Sequence, residues 1–373
     1  MMKTDIAAII LAAGFSSRMG RLKPLLPLGK GSVIAHVAES FRAEGIQDIL
    51  VVLGHRSRDI IPELEKNSLA WKVNQHYAQG MLSSIKKGIE TLGDGTDAFF
   101  IIPVDIPLVR PATLRNLVNS YENYPGKIIY PSFQRQKGHP PLIPTRFIED
   151  ILQYEGPGGL QHCLEAWDRD SLEKAVADQG VLMDMDTPDD YTVILEKSKN
   201  LDIPSMQEAQ ALLAIHQSEN ASAMAHARAV ASLAATIGKA MNFSGGDVNV
   251  PLIEAAGILH DIAKGRSDHA RKGAELIAAN GFQAAADVAG RHMDLAFDPS
   301  MGIGESEVVY LADKMVSQTE IVSLEKRLSG KKEQFRDDPE ALKMMTFRME
   351  QAIRIRQSIE KMIGKPLHDL NFS

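Results

Sequence analysis

Hydrophobic and polar positions divide the chain into two halves. Up to about residue 190, short apolar runs alternate with stretches in which apolar residues recur at helical spacing. The apolar runs are Ile6–Leu11, Ile49–Leu53, Ala98–Val104 and Lys127–Tyr130, and the helical stretches include Ser32–Glu44 and Pro111–Asn119. Such alternation predicts an α/β fold of the Rossmann-like kind, with a mainly parallel sheet and helices on both faces.

After Asp190 the pattern changes. Ala, Leu, Met, Glu and Lys dominate long windows with helical spacing, which predicts an all-α second half. We therefore predict a first domain at 1–196, a linker at 197–205 and a helical domain at 206–373. A charged helical extension runs from Glu320 to Met362, and its pattern fits either packing on its own domain or a homodimer contact.

Composition narrows the functional classes. The chain has 373 residues, more than one core usually holds, and 41 basic residues against 48 acidic ones give a net charge of −7. No basic block appears, which argues against nucleic acid as a partner. Cys163 is the only cysteine, so neither an internal disulfide nor a cysteine-based zinc site is expected. The run Ile6–Ala13 is too short to span a membrane and lacks a signal-peptide cleavage pattern, so we expect a cytoplasmic protein without a membrane partner.

A glycine-bearing turn follows the first predicted strand directly. It reads Leu11-Ala12-Ala13-Gly14-Phe15-Ser16-Ser17-Arg18-Met19-Gly20, with Lys23 three residues later. Backbone N–H groups at such a turn bind phosphate, and Arg18 and Lys23 add positive charge. Glycine and serine also occur wherever a chain simply reverses direction.

The turn resembles the phosphate loop of MobA-like nucleotidyltransferases, which include molybdenum cofactor cytidylyltransferases and guanylyltransferases. Its Ala-Ala-Gly form is closer to the cytidylyl branch, because the guanylyl branch typically reads Ala-Gly-Gly. Further motifs of this family follow in order over roughly residues 5–192: Asn74, Gln79-Gly80-Met81, Ser83-Ser84, Asp105-Ile106-Pro107, Gly138-His139-Pro140 and Asp184 to Tyr191. His139 departs from the family pattern, since many relatives have Asn there.

The resemblance implies transfer of CMP from CTP, or from another nucleoside triphosphate, to a phosphorylated acceptor such as molybdopterin. It implies that Asp105 and Asp186 bind Mg²⁺. It also implies catalytic roles for these two aspartates and for Arg18 and Lys23. The implied nucleotide-binding residues are Leu11, Ala12, Ala13, Gly14, Ser16, Ser17, Arg18, Met19, Gly20, Lys23, Gln79, Gly80, Ser84 and Asp105. Gly138, His139 and Pro140 would line the acceptor pocket.

The two aspartates also fit this chemistry without the resemblance. Asp105 follows an apolar run that should be a strand, and Asp186 follows Val181–Met183 in the same way, so both should face one crevice. Carboxylate oxygens are suitable ligands for Mg²⁺. The alternative is that Asp105 starts the turn at Pro107 and Asp186 caps a helix. A sugar or choline phosphate remains an alternative acceptor, because such transferases share this loop and carboxylate pair.

The second half contains a series of histidines and aspartates with metal-ligand chemistry: His226, His260, Asp261, His269, His292 and Asp313. A single histidine of this kind is usually hydrogen-bonded in a core. Together, imidazole nitrogens and carboxylates form a ligand set for one or two divalent transition metals such as Mn, Fe, Ni or Zn. An aspartate next to a histidine can bridge two such ions.

This series resembles the HD phosphohydrolase superfamily over roughly residues 220–316. The resemblance implies that His226 is the first ligand, that His260 and Asp261 are the namesake pair, and that Asp313 is the last ligand. His269 and His292 match the subset with two metals, and Asp261 and Lys264 take catalytic roles. Hydrolysis of a phosphomonoester or phosphodiester would follow. The alternatives are a non-catalytic nucleotide sensor acting on the transferase or on a molybdoenzyme, and a Lys264 that only complements a helix dipole.

Overall fold

The computed structural model describes residues 4–217 and 220–370, which form two compact units. The first unit extends to Asn200 and the second begins at Leu201. The last helix of the first unit continues to Ser198, into the segment predicted as a linker. The exact domain limits stay predictions.

An eight-stranded sheet forms the centre of the first unit. The strands of this unit, including a small hairpin of β2 and β3, are β1 (Ile6–Ala12), β2 (Pro27–Leu28), β3 (Gly31–Ser32), β4 (Asp48–Leu53), β5 (Ala70–Val73), β6 (Ala98–Pro103), β7 (Ile128–Phe133), β8 (Gln136–Lys137), β9 (Leu142–Pro144) and β10 (Ser171–Ala175). The sheet order is β10-β7-β9-β6-β1-β4-β5, with β8 beside β7. Pairing is parallel except for β9 and β8, which confirms the predicted, mainly parallel α/β class.

Helices cover both faces of this sheet. They are α1 (Val33–Arg42), α2 (Ser57–Lys66), α3 (Met81–Ile89), α4 (Pro111–Asn123), α5 (Ile148–Gln153), α6 (Gly159–Glu165) and α7 (Pro188–Ser198). On one face, Ile9 and Phe99 lie in a core with Ile85 of α3. On the other, Phe100 packs against Phe41 of α1. Every residue of β1 is buried, as expected for a strand covered on both sides.

One sequence prediction in this unit is wrong. Val181–Met183 does not form a strand before Asp186: Gln179–Leu182 is a short 3₁₀ helix. The Asp178 side chain accepts a hydrogen bond from the Gly180 amide and turns the backbone, which an apolar run cannot reveal. Asp186 therefore lies at the start of α7 instead of at a strand end.

The second unit is helical, as predicted. Its helices are α8 (Met206–Gln217), α9 (Ala221–Phe243), α10 (Val250–Leu259), α11 (His269–Ala279), α12 (Gln283–Ala289), α13 (Glu305–Met315), α14 (Leu324–Gln334) and α15 (Pro339–Ile363). One feature was not expected, a hairpin of β11 (Val316–Ser317) and β12 (Glu320–Ile321). Among the described helices of the chain, none has the length and apolar composition needed to cross a membrane.

The α9 and α10 helices approach each other closely at a glycine. A Cβ atom added to Gly257 of α10 would lie 2.8 Å from the Cα of Ala231 on α9. Backbone atoms cannot move aside as a flexible side chain can, so this position requires glycine. The contact also sets the spacing between His226 on α9 and His260 at the end of α10.

We predict that Gly257→Ala lowers the free energy of unfolding of the second unit by about 1–3 kcal/mol, because the added methyl group overpacks this contact. Trp71 and Trp167, the only tryptophans of the chain, lie in the first unit. Urea unfolding should therefore show an earlier circular dichroism transition with no change in tryptophan fluorescence. Gly330→Ala is the control, since an added Cβ there meets nothing within 4 Å. Equal midpoints for the two variants would contradict the prediction.

Candidate functional site

A buried lysine joins two carboxylates at one end of the sheet. Lys23 Nζ lies 2.9 Å from Asp105 Oδ2 and 2.7 Å from Asp186 Oδ1. Arg18 adds a second contact, with Nη2 2.9 Å from Asp186 Oδ2. The four residues to which sequence reasoning gave catalytic roles in this half are thus in direct contact.

Backbone hydrogen bonds fix both aspartates. Asp105 follows β6, and its carbonyl oxygen accepts a hydrogen bond of 2.8 Å from the Met185 amide. Asp186 immediately precedes the helix cap formed by Thr187, whose amide donates to Asp190 Oδ2 at 2.7 Å. The alternative that Asp186 itself caps the helix is therefore wrong, and its carboxylate stays available to Lys23.

Electrostatics at this site favour the ionised forms. Burial acts to lower the pKa of Lys23, but hydrogen bonds and the charges of Asp105 and Asp186 outweigh it, so the pKa lies above its ordinary value. The hydrogen bond from Lys23 lowers the pKa of Asp186. The site therefore contains a charged lysine between carboxylates at neutral pH.

The predicted phosphate loop borders a cavity of about 310 Å³. Ser16 has a φ of +52° and Gly20 one of +66°, and the Gly20 amide donates to the Ser16 carbonyl at 3.1 Å. Of the predicted nucleotide-binding residues, those that line the cavity are Leu11, Ala12, Ala13, Gly14, Ser16, Lys23, Gly80, Ser84 and Asp105. Ser17, Arg18, Met19 and Gly20 do not line it, and Met19 is buried at 7% exposure.

A second cavity, of about 1000 Å³, adjoins the first through Leu11 and Gly80. Gln79, Gly138 and His139 line it, whereas Pro140 is buried outside it. The His139 amide donates to the Val181 carbonyl at 2.9 Å, and an added Cβ on Gly138 would lie 2.6 Å from the same oxygen. Burial lowers the pKa of His139, although the charge of Asp105 opposes this.

Sequence reasoning missed part of this region. Phe15 of the phosphate loop is 53% exposed, and its ring centroid lies 5.2 Å from that of His55 and 5.4 Å from that of Tyr77. Lys86 and Lys137 line the larger cavity and were not singled out. No spacing in the sequence connects Phe15, Lys86 and Lys137 with the motifs, because only the fold brings these side chains to the two cavities.

The histidines and aspartates of the second unit form two groups that share Asp261. His226 and His260 complete one group, and His269 and His292 complete the other, with the candidate ligand atoms of each group within 4.8 Å of one another. Asp261 Oδ1 lies 3.4 Å from His269 Nε2 and 3.5 Å from His292 Nε2.

Asp313 lies beside the first of these groups. Its Oδ1 lies 3.5 Å from His226 Nε2 and 3.6 Å from His260 Nε2. All six predicted ligands are therefore brought together around Asp261, which belongs to both groups.

Backbone carbonyls orient three of the rings. The Nδ1 atoms of His226, His260 and His292 lie 2.9, 2.8 and 2.7 Å from the carbonyl oxygens of Gln318, Gly257 and Ala289. A carbonyl accepts only from a protonated Nδ1, which leaves the Nε2 lone pairs facing the cluster. His260 Nε2 is buried and has no hydrogen-bond partner among the described residues. This arrangement fits metal ligation.

Burial and neighbouring charges set the protonation states of this cluster. Burial lowers the pKa of His260 to about 4, so the ring is neutral at pH 7. Burial acts to raise the pKa of Asp261, but its polar and charged neighbours, among them His292 and Lys264, outweigh burial and hold the pKa below its usual range. For Asp313 the charge of Lys314 has the corresponding effect on the pKa. Neutral imidazoles and ionised carboxylates are the forms that bind metal.

Two lysines contact these carboxylates. Lys264 Nζ lies 2.6 Å from Asp261 Oδ2, and Lys314 Nζ lies 2.6 Å from Asp313 Oδ2. A cavity of about 530 Å³ begins at His226, Lys264 and Asp313 and extends to the hairpin and α14. Neither the hairpin nor the basic side chains of α14 were expected at the site.

Comparison with known families agrees with this division. Residues 8–173 match the family described as MobA-like NTP transferase domain, and residues 224–317 match the family described as HD domain. The chain therefore carries a nucleotidyltransferase domain of the MobA and cytidylyltransferase type, followed by an HD domain.

Among curated proteins, the chain is similar to the molybdenum cofactor cytidylyltransferase of Escherichia coli K12, with 27% identity over 193 residues that cover 52% of this chain and 96% of that protein. It is 30% identical over 118 residues to the bifunctional protein GlmU of Staphylococcus saprophyticus, covering 31% of this chain and 26% of that protein. The match thus spans about a quarter of GlmU. The crystal structure of Rv0371c from Mycobacterium tuberculosis H37Rv superposes with a TM-score of 0.47 and 25% identity, covering 52% of this chain and all of that one.

We predict that Asp261→Ala lowers the metal content of the purified protein more than His269→Ala does, because Asp261 belongs to both ligand groups and His269 to one. Mass spectrometry of bound metal after gel filtration measures the content per chain. Asp268→Ala is the matched control, since its exposed carboxylate pairs with Arg271 instead of with the cluster. Unchanged metal content in Asp261→Ala would refute the shared-ligand geometry.

Proposed function

We propose that the first domain transfers CMP from CTP to the terminal phosphate of a molybdopterin-type cofactor, with release of pyrophosphate. The observation that carries this proposal is the convergence of Lys23, Asp105 and Asp186 beside the phosphate-loop cavity. The likeness to a molybdenum cofactor cytidylyltransferase over 96% of its length supports the choice of CTP and acceptor.

In the proposed reaction, an oxygen of the acceptor phosphate attacks the α-phosphorus of CTP. The bond between the α-phosphorus and the bridging oxygen breaks, and pyrophosphate leaves with the electron pair. No nucleophile from the protein is needed, so the residues act by positioning and by charge stabilisation. Arg18 and Lys23 would stabilise the negative charge that develops on the leaving group.

The two carboxylates suit Mg²⁺. Lys23 Nζ lies within 2.9 Å of both, so their oxygens converge on a single point. Oxygen-only ligands at a convergent site are what a small hard cation requires. When bound there, Mg²⁺ supplies positive charge that neutralises the phosphate oxygens. Lys23 would then be released from the carboxylates to contact phosphate.

The larger cavity is the proposed acceptor site. It adjoins the phosphate-loop cavity and is lined by Gly138 and His139, and its charged residues are Lys86, Lys137, Glu155, Glu165 and Asp168. An acceptor of substantial size fits its volume of about 1000 Å³. A sugar or choline phosphate is the alternative acceptor, and a screen of acceptors distinguishes these cases.

We predict that pyrophosphate release requires CTP and molybdopterin cofactor together, and that Asp105→Asn lowers its rate by about 10²-fold or more, because the neutral amide removes charge where the cation binds. The assay compares the four nucleoside triphosphates with Mg²⁺, with and without cofactor. Asp94→Asn, an exposed aspartate of the same domain, should retain activity. If pyrophosphate is released with a sugar phosphate but not with the cofactor, the sugar phosphate replaces the molybdopterin-type cofactor as the proposed acceptor.

We propose further that the HD domain hydrolyses phosphate esters. Two His/Asp groups sharing Asp261 carry this proposal. A divalent metal pair, when bound, would supply Lewis acidity for water activation. Water oxygen then adds to phosphorus, the ester P–O bond breaks, and the leaving oxygen takes a proton. Lys264, 2.6 Å from Asp261, would pair with the substrate phosphate once metal holds that carboxylate.

We predict that the protein with Mn²⁺ hydrolyses p-nitrophenyl phosphate or bis-p-nitrophenyl phosphate, and that Asp261→Asn abolishes this activity while CTP-dependent pyrophosphate release stays unchanged. Asp268→Asn is the control, because Asp268 is exposed and lies outside the cluster. A regulatory sensor would give the opposite result: metal and nucleotide binding that depend on Asp261, with no turnover of either ester.

A further inference from the structure

The cavity beside the His/Asp cluster is strongly basic. Its charged lining residues are Lys264, Asp313, Lys326, Arg327 and Lys331, so four cations face one carboxylate. Three of these cations come from α14, outside the His/Asp series that resembles other HD domains. We propose that this cavity binds the second phosphate of a substrate that carries two phosphate groups, such as a nucleoside diphosphate.

The proposal rests on the hydrolytic function proposed above, in which a first phosphate lies at the His/Asp cluster. His226, Lys264 and Asp313 belong both to that cluster region and to the cavity wall. A phosphate at the cluster therefore lies at the mouth of the basic cavity. Hydrolysis of a monophosphate requires no further cations, so the positive charge on α14 matches a second anionic group.

Two of the α14 cations, Lys326 and Lys331, are available for such a group. The third, Arg327, is already engaged, because its Nη1 donates to the carbonyl oxygens of Asp313, Lys314 and Val316 at 2.6–2.9 Å. Its role is to hold α14 against the end of α13. Lys331 contacts the amide oxygen of Gln334 at 2.9 Å. Among the described residues, no carboxylate lies within salt-bridge distance of the ammonium group of Lys326 or Lys331.

The shape of α14 supports the same conclusion. The cavity is lined by Lys326, Arg327, Gly330, Lys331 and Gln334, whose spacing of i, i+1, i+4, i+5 and i+8 places them on one helix face. Gly330 lies in the middle of this face, and a Cβ there would meet nothing within 4 Å. Glycine destabilises a helix interior relative to alanine. Because Gly330 lines the cavity and has open space beside it, a larger side chain at this position would extend into the cavity.

The remaining lining residues favour a polar ligand. They include Asn220, Ser222, Ser317 and Gln318, and no Phe, Tyr or Trp side chain lines the cavity in the described part of the chain. A volume of about 530 Å³ falls within the range of small-molecule sites. Charge and hydrogen bonding, instead of stacking on a ring, would therefore determine which ligand binds.

The test compares binding of pyrophosphate and orthophosphate by calorimetry, using the full chain with its bound metal. All variants carry Lys23→Ala, which removes the cation proposed to hold pyrophosphate in the transferase domain. We expect pyrophosphate to bind at least about tenfold more tightly than orthophosphate. Lys326→Ala/Lys331→Ala should abolish most of this preference, and Gly330→Leu should reduce it by filling the cavity.

A charge-matched control is Lys332→Ala/Lys343→Ala, because both lysines are exposed and neither lines the cavity. If the parent shows no preference for pyrophosphate, or if the control loses as much of it, the inference is overturned even where phosphatase activity persists. If the preference follows Lys326 and Lys331 but no ester is hydrolysed, the two-phosphate site stands and the hydrolytic function fails.

Discussion

Carboxylates that converge on one point repel each other unless a positive charge lies between them. Lys23 meets this constraint in the first domain, where it contacts Asp105 and Asp186 at once. These three residues come from the loop after β1, the end of β6 and the start of α7, so their contact holds distant parts of the chain together. In the HD domain, Lys264 contacts Asp261 and Lys314 contacts Asp313, each lysine pairing with one carboxylate. In both domains a lysine therefore balances the charge of a carboxylate that is a candidate metal ligand.

The two candidate sites differ in the side chains that could bind a metal ion. The transferase site has carboxylates alone, which suits Mg²⁺, whereas the HD site combines carboxylates with imidazoles, which suits transition metals. Burial disfavours the charged form of His260 and lowers its pKa to about 4. Three of the imidazoles are oriented because backbone carbonyls fix Nδ1, and the carbonyl that fixes His226 belongs to Gln318, between the strands of the β11–β12 hairpin. The unexpected hairpin thus helps to orient one residue of the candidate metal site.

Hydrophobic periodicity predicted the elements that are long and buried, and it missed those that are short or exposed. β1, β4 and β6 are apolar runs, and the sequence was sufficient to place them and the loop after β1. β9 has only three residues, and prolines surround it, so its pattern is that of a loop. β10 reads Ser-Leu-Glu-Lys-Ala, the polar composition of an edge strand. The prediction that Asp186 follows a strand was wrong for a related reason, because the turn before it depends on a side-chain hydrogen bond and not on periodicity.

The α14 helix shows most clearly why a site is only partly predictable. From sequence, its lysines indicate a solvated helix face, and only the packing of Arg327 against the end of α13 turns the face toward a cavity. The His/Asp series, by contrast, is recognisable because metal chemistry limits the residue types that can serve. In the hydrolysis proposed above, that series would contact the phosphate being cleaved, so preference among substrates would come from residues outside it. In this chain the neighbouring helix contributes three cations and a glycine to the cavity, and these residues would then distinguish its substrates from those of an HD domain with the same metal ligands.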